Sequence, residues 1–213
     1  MKSSLAALAL STGMLAASTA LAAENELPIM VTTPVFAQLV SYTLPQGFKG
    51  AFSDASESFY IQEAVPAGES VEKWSEMITM MGMRDLATSA DQPLAAAAEN
   101  IRANYQRACP GTLSAQSFGA STTDGRETLT VFLGCGSVTT PQGKVSETVV
   151  IVFIKGQSDV YALQWAAHAD AQSSPPVYNV EIWSSRMAQL TPIRICDRIE
   201  GEGVPYPSCI FKK

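Results

Sequence analysis

Three apolar runs between residues 127 and 167 constrain the fold of this chain more than any other part of it. The run 128–135 alternates with period two: Leu129, Val131, Leu133 and Cys135 point one way, and Thr128, Thr130 and Phe132 the other. That is the pattern of a pleated strand. The run 148–154 is apolar on both sides and rich in β-branched residues. It belongs in the middle of a sheet that is covered on both faces. The run 160–167 carries Tyr161, Leu163 and Trp165 on one face and Val160, Ala162, Gln164 and Ala166 on the other. The connections Pro141-Gln142-Gly143-Lys144 and Lys155-Gly156-Gln157-Ser158-Asp159 are made of turn formers and are too short for a crossover helix. The three runs therefore read as an antiparallel meander. Its centre strand needs cover on both faces, and two amphipathic helices elsewhere in the chain are expected to supply it.

The flanking sequence fills in the rest. Residues 29–44 are apolar and Thr-rich, broken by Pro34, and read as one or two strands, with 35–43 the stronger half. Segments 49–52 and 58–64 read as a hairpin around Asp54-Ala55-Ser56-Glu57, with Phe59 and Ile61 inward. Ser70 is a natural N-cap with Glu72 in the first turn, and Val71, Trp74 and Ile78 follow helical spacing. A short helix is predicted there, fading by Thr79, with a break or a strand at Gly82. Asp91-Gln92-Pro93 opens a second helix, whose buried face is Leu94, Ala98, Ile101 and Tyr105 and whose end is Pro110-Gly111. Residues 113–120 read as a strand, and Asp124-Gly125 is a two-residue hairpin signal. A third helix is predicted over 178–190, with Ile182, Met187 and Leu190 as core, followed by an irregular tail over 193–213. This order describes an α+β fold: an antiparallel β-sheet with helices packed on its faces, an α/β/α sandwich.

The N-terminus has the form of an export signal. Lys2 precedes an Ala- and Leu-rich stretch, 5–21, and Ala20-Leu21-Ala22 fits the small-x-small cleavage rule. Residues 1–22 are expected to be removed, leaving 23–213 as one domain in the periplasm or outside the cell. Cleavage after Ala20 is the alternative. After cleavage no second long apolar run remains to span a membrane. Four cysteines, all in the exported part, read as two disulfides, and the favoured pairing is Cys109–Cys135 and Cys196–Cys209. The second would hold a Gly- and Pro-containing loop. With a formal charge of -6 and scattered Lys and Arg, the chain shows no basic footprint for nucleic acid.

Two segments carry a family resemblance. Tyr42-Thr43-Leu44-Pro45-Gln46-Gly47-Phe48 looks like the Leu-Pro-x-Gly-Phe lead into a first hairpin. Glu63-Ala64-Val65-Pro66-Ala67-Gly68-Glu69-Ser70, followed by Trp74-Ser75-Glu76-Met77-Ile78-Thr79, looks like the strand-to-helix turn after it. Over residues 42–79, and in the order of elements beyond, the chain resembles small exported bacterial proteins and the Mog1/PsbP/DcrB-like α/β/α sandwich. The resemblance implies that fold and an accessory or binding role, and it brings no catalytic residue with it. Fold alone assigns no function.

The remaining residues of chemical interest each have a plainer reading. His168, the only histidine, has Asp170 two residues on, which would suit an acid–base pair in a hydrolase. No Gly-x-Ser-x-Gly turn accompanies it, and the plainer reading is a polar strand end. Gly134-Cys135-Gly136 resembles a flanked nucleophile, but disulfide formation accounts for Cys135. Met77, Met80, Met81 and Met83 form a thioether cluster of the kind that selects Cu(I), although Met is more often a core filler. On a strand Met81 and Met83 would share a face opposite Met80; on a helix Met77, Met80 and Met81 would group. Asp197, Glu200 and Glu202 are carboxylates in the C-terminal loop, at spacings that match no Ca²⁺ loop. Trp74, Trp165 and Trp183 would suit either a ligand pocket or packing. No catalytic constellation, cofactor fingerprint or committed metal site emerges. The expectation is a non-catalytic accessory or binding protein of the cell envelope, with a protein or small-molecule partner there. A copper-handling protein using Met77–Met83 and a hydrolase using His168 are the alternatives.

Overall fold

The computed structural model describes residues 28–141 and 143–211. The export signal and its cleavage site lie outside these residues, as does Gln142 of the predicted turn. The elements run β1 (Ile29–Val35), β2 (Gln38–Leu44), β3 (Phe48–Ala55), β4 (Phe59–Pro66), β5 (Glu76–Met83), α1 (Leu86–Ser89), α2 (Pro93–Ala108), β6 (Leu113–Thr123), β7 (Arg126–Thr140), β8 (Gly143–Lys155), β9 (Val160–Asp170), α3 (Val180–Gln189), β10 (Arg194–Asp197) and α4 (Pro207–Ile210). A seven-stranded antiparallel sheet has the order β3-β4-β5-β9-β8-β7-β6, and a three-stranded sheet the order β1-β2-β10.

The predicted meander is the right half of the large sheet. In register, Phe132 stands opposite Val150, and Val150 opposite Trp165. Along β8, Val149, Ile151 and Phe153 are fully buried on the side that faces α2, while Val150 and Ile154 are buried on the other. Each such side chain contributes about 1.5–3 kcal/mol relative to leaving it in water. The hairpin from β6 to β7 turns at Asp124 and Gly125, with φ of 51° and 76°. Two successive positive φ values are what a tight hairpin with right-handed strand twist requires.

The α+β sandwich stands, but its two outer layers differ. Helix α2 covers one face through Leu94, Ala97, Ala98, Ile101 and Tyr105. The other face was expected to have a second helix. It is covered instead by the three-stranded sheet, through Val35, Val40, Tyr42 and Ile195, together with α3, through Trp183 and Met187. Pro34 lies in β1, an outer strand of the small sheet, where a missing N–H is tolerated. The C-terminal tail is not irregular throughout, because β10 pairs with β2 and completes that sheet.

Several local expectations need correction. No helix forms over 70–79. Residues 70–73 close a tight turn with paired backbone bonds, and the Glu69 carboxylate accepts from both the N–H and the hydroxyl of Ser75. The apolar run that follows becomes β5, between β4 and β9, because both its faces are apolar and both neighbours offer a strand edge. Tertiary pairing thus overrides a local spacing that fits a helix. Phe59 is not buried; it lies at the start of β4 and stays exposed. On α3, Ile182 is 48% exposed and Trp183 takes the core position. Asn179 caps that helix by accepting from the Ile182 N–H.

Both disulfides form as paired in the sequence reading. Cys109–Cys135 ties the end of α2 to β7 with Cα atoms 5.8 Å apart, and Cys196–Cys209 ties β10 to α4 at 5.6 Å. Gly82 explains how the small sheet approaches the large one. A Cβ there would lie 2.5 Å from Val35 Cγ1 and 3.1 Å from Phe36 Cε2. Gly82→Ala should therefore cost about 1–3 kcal/mol as the β1–β2 hairpin is pushed off the sheet. Urea unfolding would read this directly, and an unchanged midpoint would contradict the close contact.

Candidate functional site

The helix-side face of the sheet ends, beyond the hydrophobic core, in a cluster of four side chains from four segments. His168 is near the end of β9 and Glu147 is its register partner on β8. Tyr105 comes from the last turns of α2, and Trp74 from the loop before β5. Alternation places Glu147 and His168 on the same face as Val149 and Ala166, toward α2. The His168 ring stacks on Trp74 with centroids 3.5 Å apart. His168 Nδ1 lies 3.1 Å from the Trp74 carbonyl oxygen, and Nε2 lies 3.0 Å from Glu147 Oε2. The Tyr105 hydroxyl donates to Glu147 Oε1.

The partner at Nδ1 selects the side of the ring that donates. A carbonyl oxygen only accepts, so Nδ1 carries a hydrogen. Nε2 faces a Glu147 carboxylate oxygen at hydrogen-bond distance, so both ring nitrogens have a partner. Burial raises the Tyr105 pKa well above the usual phenol value, and the neighbouring Glu147 charge and its hydrogen bond push it further. The cluster is thus a closed chain of satisfied groups. The side chains of His168 and Glu147 retain only 15% and 22% exposure. A cleft of about 160 Å³ lined by Asn104, Tyr105, Ala108, Cys135, Val138 and Glu147 reaches it from the α2 side.

The other residues singled out by the sequence go elsewhere. Asp170 is exposed and is not among the partners of His168, which are Trp74 and Glu147. Neither Glu147 nor Tyr105 was legible beforehand, since each lies far from His168 in sequence; only the β8–β9 register joins them. Met80 packs toward the small sheet, and Met81 and Met83 toward α2, so the strand divides the methionine cluster between two faces. Met77, four positions before Met81, falls on the α2 side as well. Among the described residues no group of three or more His, Cys, Asp or Glu is placed to hold a metal ion. Glu202 caps α4 by accepting from the Ser208 N–H and hydroxyl. Asp197 Oδ1 accepts from the amides of Gln38 and Gln157. Trp165 and Trp183 flank the Arg186 guanidinium, which is ion-paired with Glu76.

No family model matches the sequence, and no curated protein matches it. Among solved structures, the chain is similar to the Saccharomyces cerevisiae Ran-binding protein Mog1p, at 12% identity and a TM-score of 0.39, over 78% of this chain and 86% of that one. It is similar to the cyanobacterial PsbP protein of Synechocystis, at 9% identity and a TM-score of 0.43, over 80% and 92% of the two chains. It is also similar to LpqN, a protein involved in cell envelope biogenesis of Mycobacterium tuberculosis, at 10% identity and a TM-score of 0.37, over 81% and 93%. These likenesses concern the fold alone.

Two outcomes follow from the cluster and its neighbours. Glu147→Gln should be well tolerated, because an amide can still accept from Tyr105 and donate to a neutral His168. Glu147→Ala should cost about 2 kcal/mol, because it leaves two enclosed polar groups without a partner. Denaturant unfolding of the two variants side by side tests this, and equal losses would show that the chain of hydrogen bonds is not what holds these segments. Burial also raises the phenol pKa of Tyr42 and of Tyr161, the latter with help from Asp159. A folded pKa above the unfolded value of about 10 means stability that is complete below that pH and is lost as pH rises further. Phenolate absorbance should therefore show Tyr42, Tyr105 and Tyr161 ionising only together with unfolding, and free ionisation of all six tyrosines in the folded protein would contradict their enclosure.

Proposed function

We propose that this protein is an exported, non-catalytic accessory or binding protein of the cell envelope. The observation that carries the reading is the closed state of the His168 cluster. Both ring nitrogens of His168 and both oxygens of Glu147 are engaged, and the ring is stacked on Trp74. A general base must keep a free lone pair for its substrate. Here the histidine instead clamps the loop before β5 to the end of β9, while Glu147 clamps α2 to β8. The group with the composition of a catalytic site acts as a brace. The two disulfides support an oxidising compartment, where such bonds persist. Among the described residues no helix is long and apolar enough to cross a membrane.

Native mass spectrometry of the full chain expressed in a bacterium, isolated from the envelope without reductant, tests the reading. The expected result is a chain that starts near Ala23, has lost four hydrogens to two disulfides, and retains a non-covalent protein or small molecule. Recovery of the uncleaved, reduced chain from the cytoplasm would overturn the export part. Hydrolysis of any member of an ester and peptide panel that disappears in His168→Asn, with the melting temperature unchanged, would overturn the non-catalytic part.

A further inference from the structure

One arginine of this protein differs from the rest. Arg102, Arg107, Arg126, Arg186, Arg194 and Arg198 each donate to an oxygen of the protein. Among the described residues the Arg84 guanidinium meets no carboxylate and no hydrogen-bond acceptor. Its contact is the Phe36 ring, whose centroid lies 4.5 Å from the guanidinium carbon. Stacking on an aromatic face holds the planar fork in place and leaves its N–H donors to an outside partner. Arg84 opens onto a cleft of about 270 Å³ between the β1–β2 turn and the β8–β9 turn, lined by Phe36, Ala37, Arg84, Asp85, Ser158 and Asp159.

The walls of this cleft are fixed from behind. Two of the non-glycine residues at left-handed φ line it, Phe36 at 53° and Asp85 at 58°. A bulky residue rarely adopts that backbone, and such positions persist only where their surroundings hold them. The holding contacts are present. The Asp85 N–H donates to Asp159 Oδ1 at 2.9 Å, and the Tyr161 hydroxyl is 3.2 Å from Asp159 Oδ2. Asp159 is 1% exposed, so it braces the wall with both oxygens already engaged. Arg198 donates to the Phe36 carbonyl oxygen at 3.4 Å. On the open side the Asp85 carboxylate and the Ser158 hydroxyl, like the Arg84 guanidinium, have no partner among the described residues. Arg84 and Asp85 are both exposed, and they do not pair with each other.

The charges select the ligand. A simple anion drawn to Arg84 would also meet Asp85, and a simple cation drawn to Asp85 would meet Arg84. Only a molecule that carries both signs satisfies both residues. Consecutive Cα atoms are about 3.8 Å apart, so the two charges spring from neighbouring points of the chain and suit a ligand whose own charges are close together. We propose that this cleft binds a free α-amino acid with an apolar side chain. Arg84 takes the carboxylate through its fork, Asp85 takes the ammonium, and Ser158 supplies a further hydrogen bond. The apolar side chain lies against Phe36 and Ala37. This gives the binding role argued above a ligand class and rests on that reading in this one respect. The two are separable, since export and a retained partner are read by mass, whereas the cleft is read by amino acid added to the purified protein.

The test is a ¹⁵N-edited NMR titration of the oxidised chain, with the Arg84 side-chain N–H and the backbone amides of Ala37, Asp85 and Ser158 as reporters. The probes are L-leucine, 4-methylpentanoate, which lacks the ammonium, and 3-methylbutylammonium, which lacks the carboxylate. Saturable shifts are expected with leucine at a Kd of about 1 mM or tighter, and each analogue should bind about tenfold or more weakly. The variants should mirror the analogues. In Arg84→Gln, leucine should bind no tighter than 3-methylbutylammonium binds the parent. In Asp85→Asn, it should bind no tighter than 4-methylpentanoate does, and Asn keeps the left-handed backbone. Both positions are exposed, so the melting temperature should stay within a few degrees of the parent. Absence of saturable shifts with leucine would overturn the proposal. So would an analogue that binds as tightly as leucine, or leucine binding that is unchanged in either variant.

Discussion

The structure depends on one strand that has no polar face. With Val149, Ile151 and Phe153 on one side of β8 and Val150 and Ile154 on the other, this strand is stable only between two covering layers. The layers have different origins. Helix α2 is a local product of its own sequence, with Pro93 at its first turn and an apolar stripe of the right period. The opposite layer is assembled from both ends of the chain, because β1 and β2 precede the large sheet and α3 and β10 follow it. The large sheet is therefore closed over only when the C-terminal segment has returned. The Cys196–Cys209 bond fastens that segment. A bond closing a loop of this length contributes about 3 kcal/mol in the chain-entropy account.

The periphery of the sheet is held by polar chemistry where apolar packing ends. At the end of β9, the Trp74–His168–Glu147–Tyr105 chain joins a loop, two strands and a helix. At the β1–β2 turn, the Tyr161 hydroxyl lies 3.2 Å from the Val35 carbonyl oxygen, and the Arg84 guanidinium sits over the Phe36 ring. The two edges of the large sheet, β3 and β6, each carry a bulge, at Gly50/Phe52 and at Ser117/Ala120. Bulges interrupt the regular ladder that would otherwise template pairing with another chain.

Much of the fold was legible in the sequence, and the reasons differ by element. The meander, the β6–β7 hairpin and α2 were legible because period, turn residues and helix ends agree in each. The helix expected over 70–79 was wrong because Val71, Trp74 and Ile78 fit a helical face equally well; only the open edges of β4 and β9 decide for a strand. Ile182 was assigned to the core in place of Trp183, an error of one position, because a ten-residue helix offers few turns from which to phase its buried side. The candidate site was half legible. His168 stood out as the only histidine, but its neighbour Asp170 is not its partner. Glu147 and Tyr105 carry no signal of their own, since their roles arise from register and from helix placement.

By itself the sequence determined the class of fold, the central meander and the principal helix, and it favoured one of the three possible pairings of the four cysteines. These follow from local periodicity, turn chemistry and chain proximity, all of which act over short stretches. Only the tertiary structure decided that a second small sheet shares a layer with α3, that residues 76–83 are a strand, and that His168 stacks on Trp74 and faces Glu147. Each of these is a relation between segments far apart in the chain, set by strand register and by which apolar face remains to be covered.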